Sequence, residues 1–537
     1  MLFKVKNSTY YTAFLLIIAL TLCKKSKNSD LMTKINQGSS KTAEEWCGTT
    51  TEMPWHQGVK KIPVLDKERL DSPTTIDSQA LREIDQEYLC WGDTVHYQER
   101  PIIVTGCKGG LVFDDEGKSY IDTGMWHSSC NFGYRNPEIE SEVTKQLHTL
   151  PQANGDFLHR EKLLIAKQVV DAMYERTGVK GRVSFNVGGA LVVEDALKII
   201  RKNTRKNKVA VMMGGYHGRS LGTLNLSSSH RYRQYFNEFS ERAVMFPFAN
   251  CAQCFYEKEP ETCDLYCDRM IRKAFSNEFY GIASETSSEV GAIVVEPCQG
   301  RGYTIPPTDF FKGFISELRE HGLLVFDDEI QVGMYRTGKL FAFEHFGFVP
   351  DIITLSKSFT NGLSPVSLVW AREDLVAPDF FTPGHAHSNF ANHPLGTAAA
   401  LATWRYMLAQ DYETSVPAKG LYFLTKLQEL QARHSCVYSV DGLGLLLNMV
   451  FADEKGIPYK GSAKLAATIA QDNDFIWKDQ SWRMILQTGG YDLNVLKFAP
   501  YLDISYEEID CTIGVLDQVL HKLDILLCPT AETSGAI

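Results

Sequence analysis

Two adjoining segments place chemically capable side chains at the ends of short apolar strands. Lys357 follows Ile352-Ile353-Thr354-Leu355, and Asp328 lies 29 residues upstream, where Leu323-Leu324-Val325-Phe326 runs into Asp327-Asp328-Glu329. Upstream, Gly188-Gly189-Ala190 separates a strand candidate from a helix candidate, and Tyr216-His217-Gly218-Arg219 follows the apolar run 209–213. An amine, a carboxylate, a glycine turn before a helix and an aromatic side chain are the parts of an anion- and ring-binding site. Small residues let backbone N–H groups approach a phosphate, and the helix start adds about half a positive charge. Each part alone has a plainer explanation: a surface lysine, a solvated acidic loop or metal site, a simple turn, a packed tyrosine. No GxxxxGK[ST] loop accompanies the acidic strand end, so nucleotide hydrolysis has no support.

The elements that must carry these groups alternate. Helix candidates at 160–175, 191–202 and 308–321 are interleaved with strand candidates at 182–185, 208–213, 291–295, 323–327 and 352–355. This rhythm predicts a mainly parallel α/β sheet, in which ligands bind beyond the strand ends. Between Pro101 and Thr123, short β-rich runs broken by glycines predict an antiparallel meander. Residues 396–409 and 415–433 read as helices, and the chain continues to about 524 as α+β.

At 537 residues the chain holds roughly two to four domains' worth of sequence. With 44% hydrophobic and 22% charged residues it is neither disordered nor a polytopic membrane protein. A net charge of −10 excludes a basic nucleic-acid-binding surface as the dominant feature. Met1–Asp30 differs from the rest: Lys4 and Lys6 precede an apolar run, Ala13–Cys23, and Lys24, Lys25 and Lys27 follow it. Those eleven residues are too few for a hydrocarbon core needing roughly 20, and fit the apolar region of an export signal. The plainer reading is an extension ahead of a start at Met32. Residues 32–537 are expected to be cytoplasmic and without stable membrane association, the alternative being export or anchoring through residues 1–23.

The ordered set of motifs resembles the class-III aminotransferases, pyridoxal-phosphate enzymes of fold type I. It comprises Gly117–Asp122, Gly133–Glu138, Gly189–Lys198, Tyr216–Arg219, Glu296–Gly300, Asp328–Gly333, Arg336–Gly338, Pro350-Asp351, Lys357 and Asn392–Leu395. The resemblance covers roughly 85–525. It implies a large domain with a seven-stranded-type, mainly parallel sheet and a small α+β domain built from both chain ends. The expected boundaries are an extension at 1–45, small-domain segments at 46–150 and 406–525, the large domain at 151–405 and a tail at 526–537. It implies Lys357 as the Schiff-base lysine that later shuttles the substrate's proton, and Asp328 as the partner of the pyridine nitrogen. Gly189, Ala190 and Asn389 would serve the phosphate, Asn389 from across a homodimer interface. Tyr216 would stack on the ring, with His217 beside it, Gln331 would contact the ring hydroxyl, and Glu296 would lie toward the substrate. The implied reaction moves an amino group from an amine, ω-amino acid or amino acid to a 2-oxo acid. An aminomutase, a racemase or a non-catalytic relative are the alternatives. Three positions depart from the pattern: Leu191, after Gly188-Gly189-Ala190, where a glutamate is usual, Asn389 for a threonine, and Lys497 for a late arginine. Lysine cannot make arginine's two-pronged carboxylate contact.

One further motif stands apart. Cys251, Cys254, Cys263 and Cys267, in the excursion 250–270, have the spacing C-x2-C-x8-C-x3-C, enough thiolates for a structural tetrahedral zinc. The alternative is four free cysteines, and an iron–sulfur centre is a weaker one.

Overall fold

The structure, a computed structural model, describes residues 78–98, 101–236, 242–276, 278–279, 281–284, 288–386 and 388–528. The signal-like segment and most of the tail lie outside these residues. The chain divides into two units, residues 1–89 and 90–537. In the first, the described residues form the helix Ser78–Tyr88, which buries none of its side chains. Among the described residues no helix is long and apolar enough to cross a membrane.

The second unit is organised by a seven-stranded sheet. Its strands are β1 (Gly181–Val187), β2 (Lys208–Met212), β3 (Arg242–Phe246), β4 (Val290–Val295), β5 (Leu324–Asp328), β6 (Ile352–Leu355) and β7 (Val366–Arg372). Their spatial order is β1-β7-β6-β5-β4-β2-β3. From β6 to β3 every pairing is parallel, while β7 is antiparallel to both its neighbours. All six residues of β4 and all four of β6 are buried, which is why these strands read as unbroken apolar runs.

Two apolar layers cover the sheet. On one face, helix α1 (Gly189–Thr204) packs Val192, Val193, Ala196 and Ile200 against Val209, Val211, Val294 and Phe326. On the other, helix Phe310–Glu320 buries Phe310, Phe311, Phe314, Ile315 and Leu318. Its phenylalanines meet Phe248, Phe346 and Phe348 at ring separations of 5.2–6.2 Å, edge-on or tilted. Alternation along the strands sends Val325 to this aromatic side and Phe326 to the α1 side.

Two smaller sheets flank it. The expected meander appears as Val104–Lys108, Leu111–Asp114 and Ser119–Asp122, and the last pairs in parallel with Gln480–Ile485. Segments from both ends of the unit thus share one sheet. A four-stranded sheet contains Val437–Leu443, Leu446–Phe451, Val495–Phe498 and Gln487–Gly489. The terminal helix Tyr506–Leu527 starts with a reciprocal cap between Ser505 and Glu508.

Among the groups that fasten that terminal helix to helix Tyr412–Gln431 and the turn after it, Tyr422 on Asp510 and Arg433 on Asp517 included, one is a histidine. His434 contacts Asp524 Oδ2 through Nδ1 and Asp517 Oδ1 through Nε2, both at 2.7 Å. The bond to Asp524 raises the imidazole pKa, against burial, with Asp517 adding to the rise. A raised folded-state pKa stabilises fully below the unfolded value of about 6.5, and the contribution is lost as pH rises through the folded value. The melting-temperature gap between wild type and His434→Gln should therefore be widest near pH 6, corresponding to about 1 kcal/mol, and shrink above neutrality. A gap that grows with pH would contradict the charged clamp.

Candidate active site

Chain direction explains why the site forms where it does. The parallel strands β4, β5 and β6 end together, so Glu296, Asp328 and Lys357 emerge at one edge of the sheet. Helix α1 starts at Gly189, two residues before the expected Leu191, because Gly188 turns the chain at φ 86°. No side chain caps that helix start, so its first N–H groups are left for an anion. Open space lies in front of Gly188, where an added Cβ would meet nothing within 4 Å. A Cβ on Gly189 would sit 3.1 Å from Ile330 and 3.8 Å from Ser356, which places the helix start beside the Lys357 segment. A Cβ on Gly218 would lie 2.8 Å from that of Ala190, bringing the Tyr216–Arg219 loop to the same point.

Hydrogen bonds join most of the expected residues. Asp328 is 3% exposed; its Oδ2 lies 2.8 Å from His217 Nδ1, and its Oδ1 accepts from Thr354 Oγ1 and the Ile330 N–H. Glu296, also buried, accepts the Tyr216 N–H through Oε2 and the Gly300 N–H through Oε1, both at 3.0 Å. Gln331 accepts from Lys357 Nζ at 2.9 Å and donates to Tyr303 Oη at 3.0 Å. A Cβ on Gly300 would come within 2.5 Å of Gln331 Oε1, so only glycine leaves room for this arrangement. Lys357 itself is held at φ 44°, a left-handed conformation that costs about 1–3 kcal/mol and marks positions fixed by their surroundings.

The electrostatics follow from burial. Loss of water pushes the Lys357 amine down to about 8, against the pull of Asp328 and Glu296. Burial raises Glu296, as does Asp328, while His217 opposes. For His217 burial works downward, but the bond and charge of Asp328 win and raise it. These residues fit pyridoxal phosphate: an uncapped helix start for the phosphate, a buried carboxylate for a ring nitrogen, and an amine held below its usual range.

Asn389 stands apart, exposed in the turn before helix Pro394–Leu408, and no hydrogen bond links it to the cluster. Tyr216 is 43% exposed and meets Tyr232 edge-on at 6.5 Å. Sequence reasoning missed Thr354 and Tyr303. Thr354 sits three residues before Lys357 in a strand otherwise made of Ile and Leu, a polar interruption that could have flagged it.

Nothing in the arrangement of the described residues supports the zinc site expected of the cysteine motif. Among the described residues, no group of three or more His, Cys, Asp or Glu side chains is placed to hold a metal. Cys251, Cys254, Cys263 and Cys267 are free. Cys263 turns its thiol toward the Pro260 carbonyl, and Cys267 belongs to helix Tyr266–Phe275. Burial, then the neighbouring sulfurs, raises Cys251, and burial lifts Cys267 to about 11.

The His217–Asp328 pair can be read directly. In Asp328→Asn the imidazole loses its anion, burial dominates, and its pKa should fall below the ordinary value of about 6.5. An NMR titration of His217 in the cofactor-free protein measures this, and an unmoved pKa would remove Asp328 as the partner.

Known proteins share this architecture. Residues 94–520 match the family model for class-III aminotransferases. Acetylornithine aminotransferase of Methanothermobacter thermautotrophicus is 28% identical over 451 residues, covering 83% of this chain and all of that protein. A leucine/methionine racemase of Thermococcus litoralis is 27% identical over 430 residues, 79% of this chain and 91% of its own. An S-selective transaminase from Arthrobacter sp. superposes with a TM-score of 0.72 at 24% identity, over 84% of this chain and 99% of that structure, and so shares the fold. The chain belongs to the class-III aminotransferase family, with the fold type I architecture.

Proposed function

We propose that the protein binds pyridoxal phosphate and transfers an amino group from an amine, ω-amino acid or amino acid to a 2-oxo acid in two half-reactions. The observation that carries this reading is the Lys357 amine, held near pKa 8 among Gln331, Asp328 and Glu296 at the strand ends. Bound pyridoxal phosphate supplies an electron sink for removing a proton from the amine-bearing carbon. The remaining work falls to the chain. Near neutral pH a useful fraction of Lys357 Nζ is unprotonated and free to bond the cofactor and accept the substrate's proton. Asp328 would keep a positive charge on the cofactor's ring nitrogen, and the His217–Asp328 contact orients the carboxylate. The Gly189 and Ala190 N–H groups would receive the phosphate. Tyr216 would hold the ring and Gln331 its hydroxyl, while Glu296 fixes the loop that would face the substrate.

A homodimer completes this reading, with Asn389 serving the phosphate site of the other copy. Exposed Trp126, Phe157, Leu158 and Phe390 give such an interface apolar surface. The racemase among the relatives motivates a second reading, racemisation or amino-group migration, which needs no 2-oxo acid.

Protein loaded with pyridoxal phosphate should show a visible absorption band that bleaches with an amino donor and returns with a 2-oxo acid. Lys357→Ala should abolish the band and cut turnover by roughly 10²–10⁴ or more. Recovery of the band after adding cofactor to the cofactor-free protein should accelerate with pH, with a midpoint near 8 as Lys357 loses its proton. A colourless wild type would refute the proposal, and turnover without any 2-oxo acid would favour the second reading.

A further inference from the structure

We infer that Arg301 is a specificity-determining residue, which with Tyr491 and the neighbouring Lys497 receives a substrate carboxylate remote from the reacting carbon. The inference rests on the transamination reading for its substrate, and on three convergent groups for its geometry. Arg301 follows Gly300 in the loop that Glu296 secures, and its backbone is fixed: its carbonyl accepts the Gly490 N–H at 3.2 Å. Its side chain is half-buried, yet it makes no ion pair or side-chain hydrogen bond with any described residue. A guanidinium partly removed from water and left without an anion is costly, and its planar fork matches a carboxylate.

The surroundings supply the rest of a receptor. Arg301, Gln299, Asn448 and Tyr491 line a cleft of about 60 Å³, several times the roughly 10–15 Å³ that admits a single water and enough for a carboxylate group. Lys497 lies alongside: a Cβ on Gly489 would come 2.0 Å from the Arg301 carbonyl and 2.9 Å from Lys497 Cδ. Lys497 Nζ is buried, donates to the Gly300 carbonyl at 3.2 Å and sits 4.8 Å over the Tyr303 ring, with no carboxylate within ion-pair distance among the described residues. Burial and the charges of Lys357 and Arg301 push its pKa down to about 7, with Glu296 pulling it up, so an arriving anion would restore its proton. The nearby acids are not substitutes for that anion. Glu296 is committed to two backbone N–H groups, and Asp441, which also lines the cleft, is exposed and accepts the Gly442 N–H.

The test compares holoenzyme with Arg301→Gln and Arg301→Lys on two readouts. The first is the ratio of kcat/KM for an ω-amino acid over that for the matched alkylamine lacking the carboxylate. Arg301→Gln should lower this ratio roughly 10–100-fold, mainly through KM, and Arg301→Lys should recover part of it. The second is calorimetric binding of glutarate, a dicarboxylate that cannot react, whose Kd should weaken at least roughly tenfold in Arg301→Gln. An unchanged ratio with unchanged glutarate affinity would overturn the inference while leaving transamination intact. If neither amine is turned over, the transamination reading fails, and glutarate binding alone decides whether Arg301 is an anion receptor.

Discussion

A carboxylate taken out of water has to be accompanied, and the placement of Asp328 makes that requirement acute. It ends the central strand β5, is 3% exposed, and faces the same side of the sheet as Phe326 and α1. Leaving such a charge unpaired costs on the order of 3–5 kcal/mol. The fold answers with His217 from the loop after β2, Thr354 from β6 and the Ile330 N–H from its own turn. Each partner is delivered by a different element, so satisfying one side chain fixes the relative position of three strand ends. Helix α1 and Lys357 occupy the space that remains beside them.

The neighbours of Asp328 show the opposite solution. Asp327 and Glu329 flank it in sequence, and the period-two alternation turns them to the aromatic side, where Val325 also points. Both are fully buried; among the described residues no N–H or O–H donor of another residue reaches either Asp327 oxygen or Glu329 Oε2, which leaves the two carboxyls to each other. Among the described residues no cation pairs with them; burial raises both pKa values, with Glu329 raising Asp327 further while the Ala342 and Phe343 N–H groups and Asp327 hold Glu329 down. The pair is best accommodated by sharing protons. Three consecutive acids that suggest a metal loop in the sequence thus divide, one hydrogen-bonded within the site and two buried behind it with raised pKa values.

This division also shows what could be read without coordinates. The apolar runs and helical spacing located β2, β4, β5 and β6 and the helices facing them to within one or two residues, because both faces of those strands are buried. Strands β3 and β7 were not located. Arg242–Phe246 is a short edge strand, and nothing local in Val366–Arg372 says that it reverses direction between β1 and β6. Lys357, Asp328, Glu296 and Gln331 were legible through the spacing of family motifs. Tyr303 and Arg301 were not, because their importance lies in partners from distant segments or in the lack of any.

Lysine rather than arginine at position 497 makes sense in this charge pattern. An arginine there would stay ionised at any working pH and would press a permanent charge against Lys357. Lys497, at about 7, can shed its proton when the site is empty, relieving a buried amine that must itself sit near 8. The cost is the two-pronged carboxylate contact that only a guanidinium makes. Arg301, nearer the surface and half-buried, carries a permanent charge with less desolvation than position 497 would impose. The adjustable charge therefore lies next to the reacting amine and the fixed charge farther out, so the site can stay cationic toward a ligand without holding two obligatory charges at its centre.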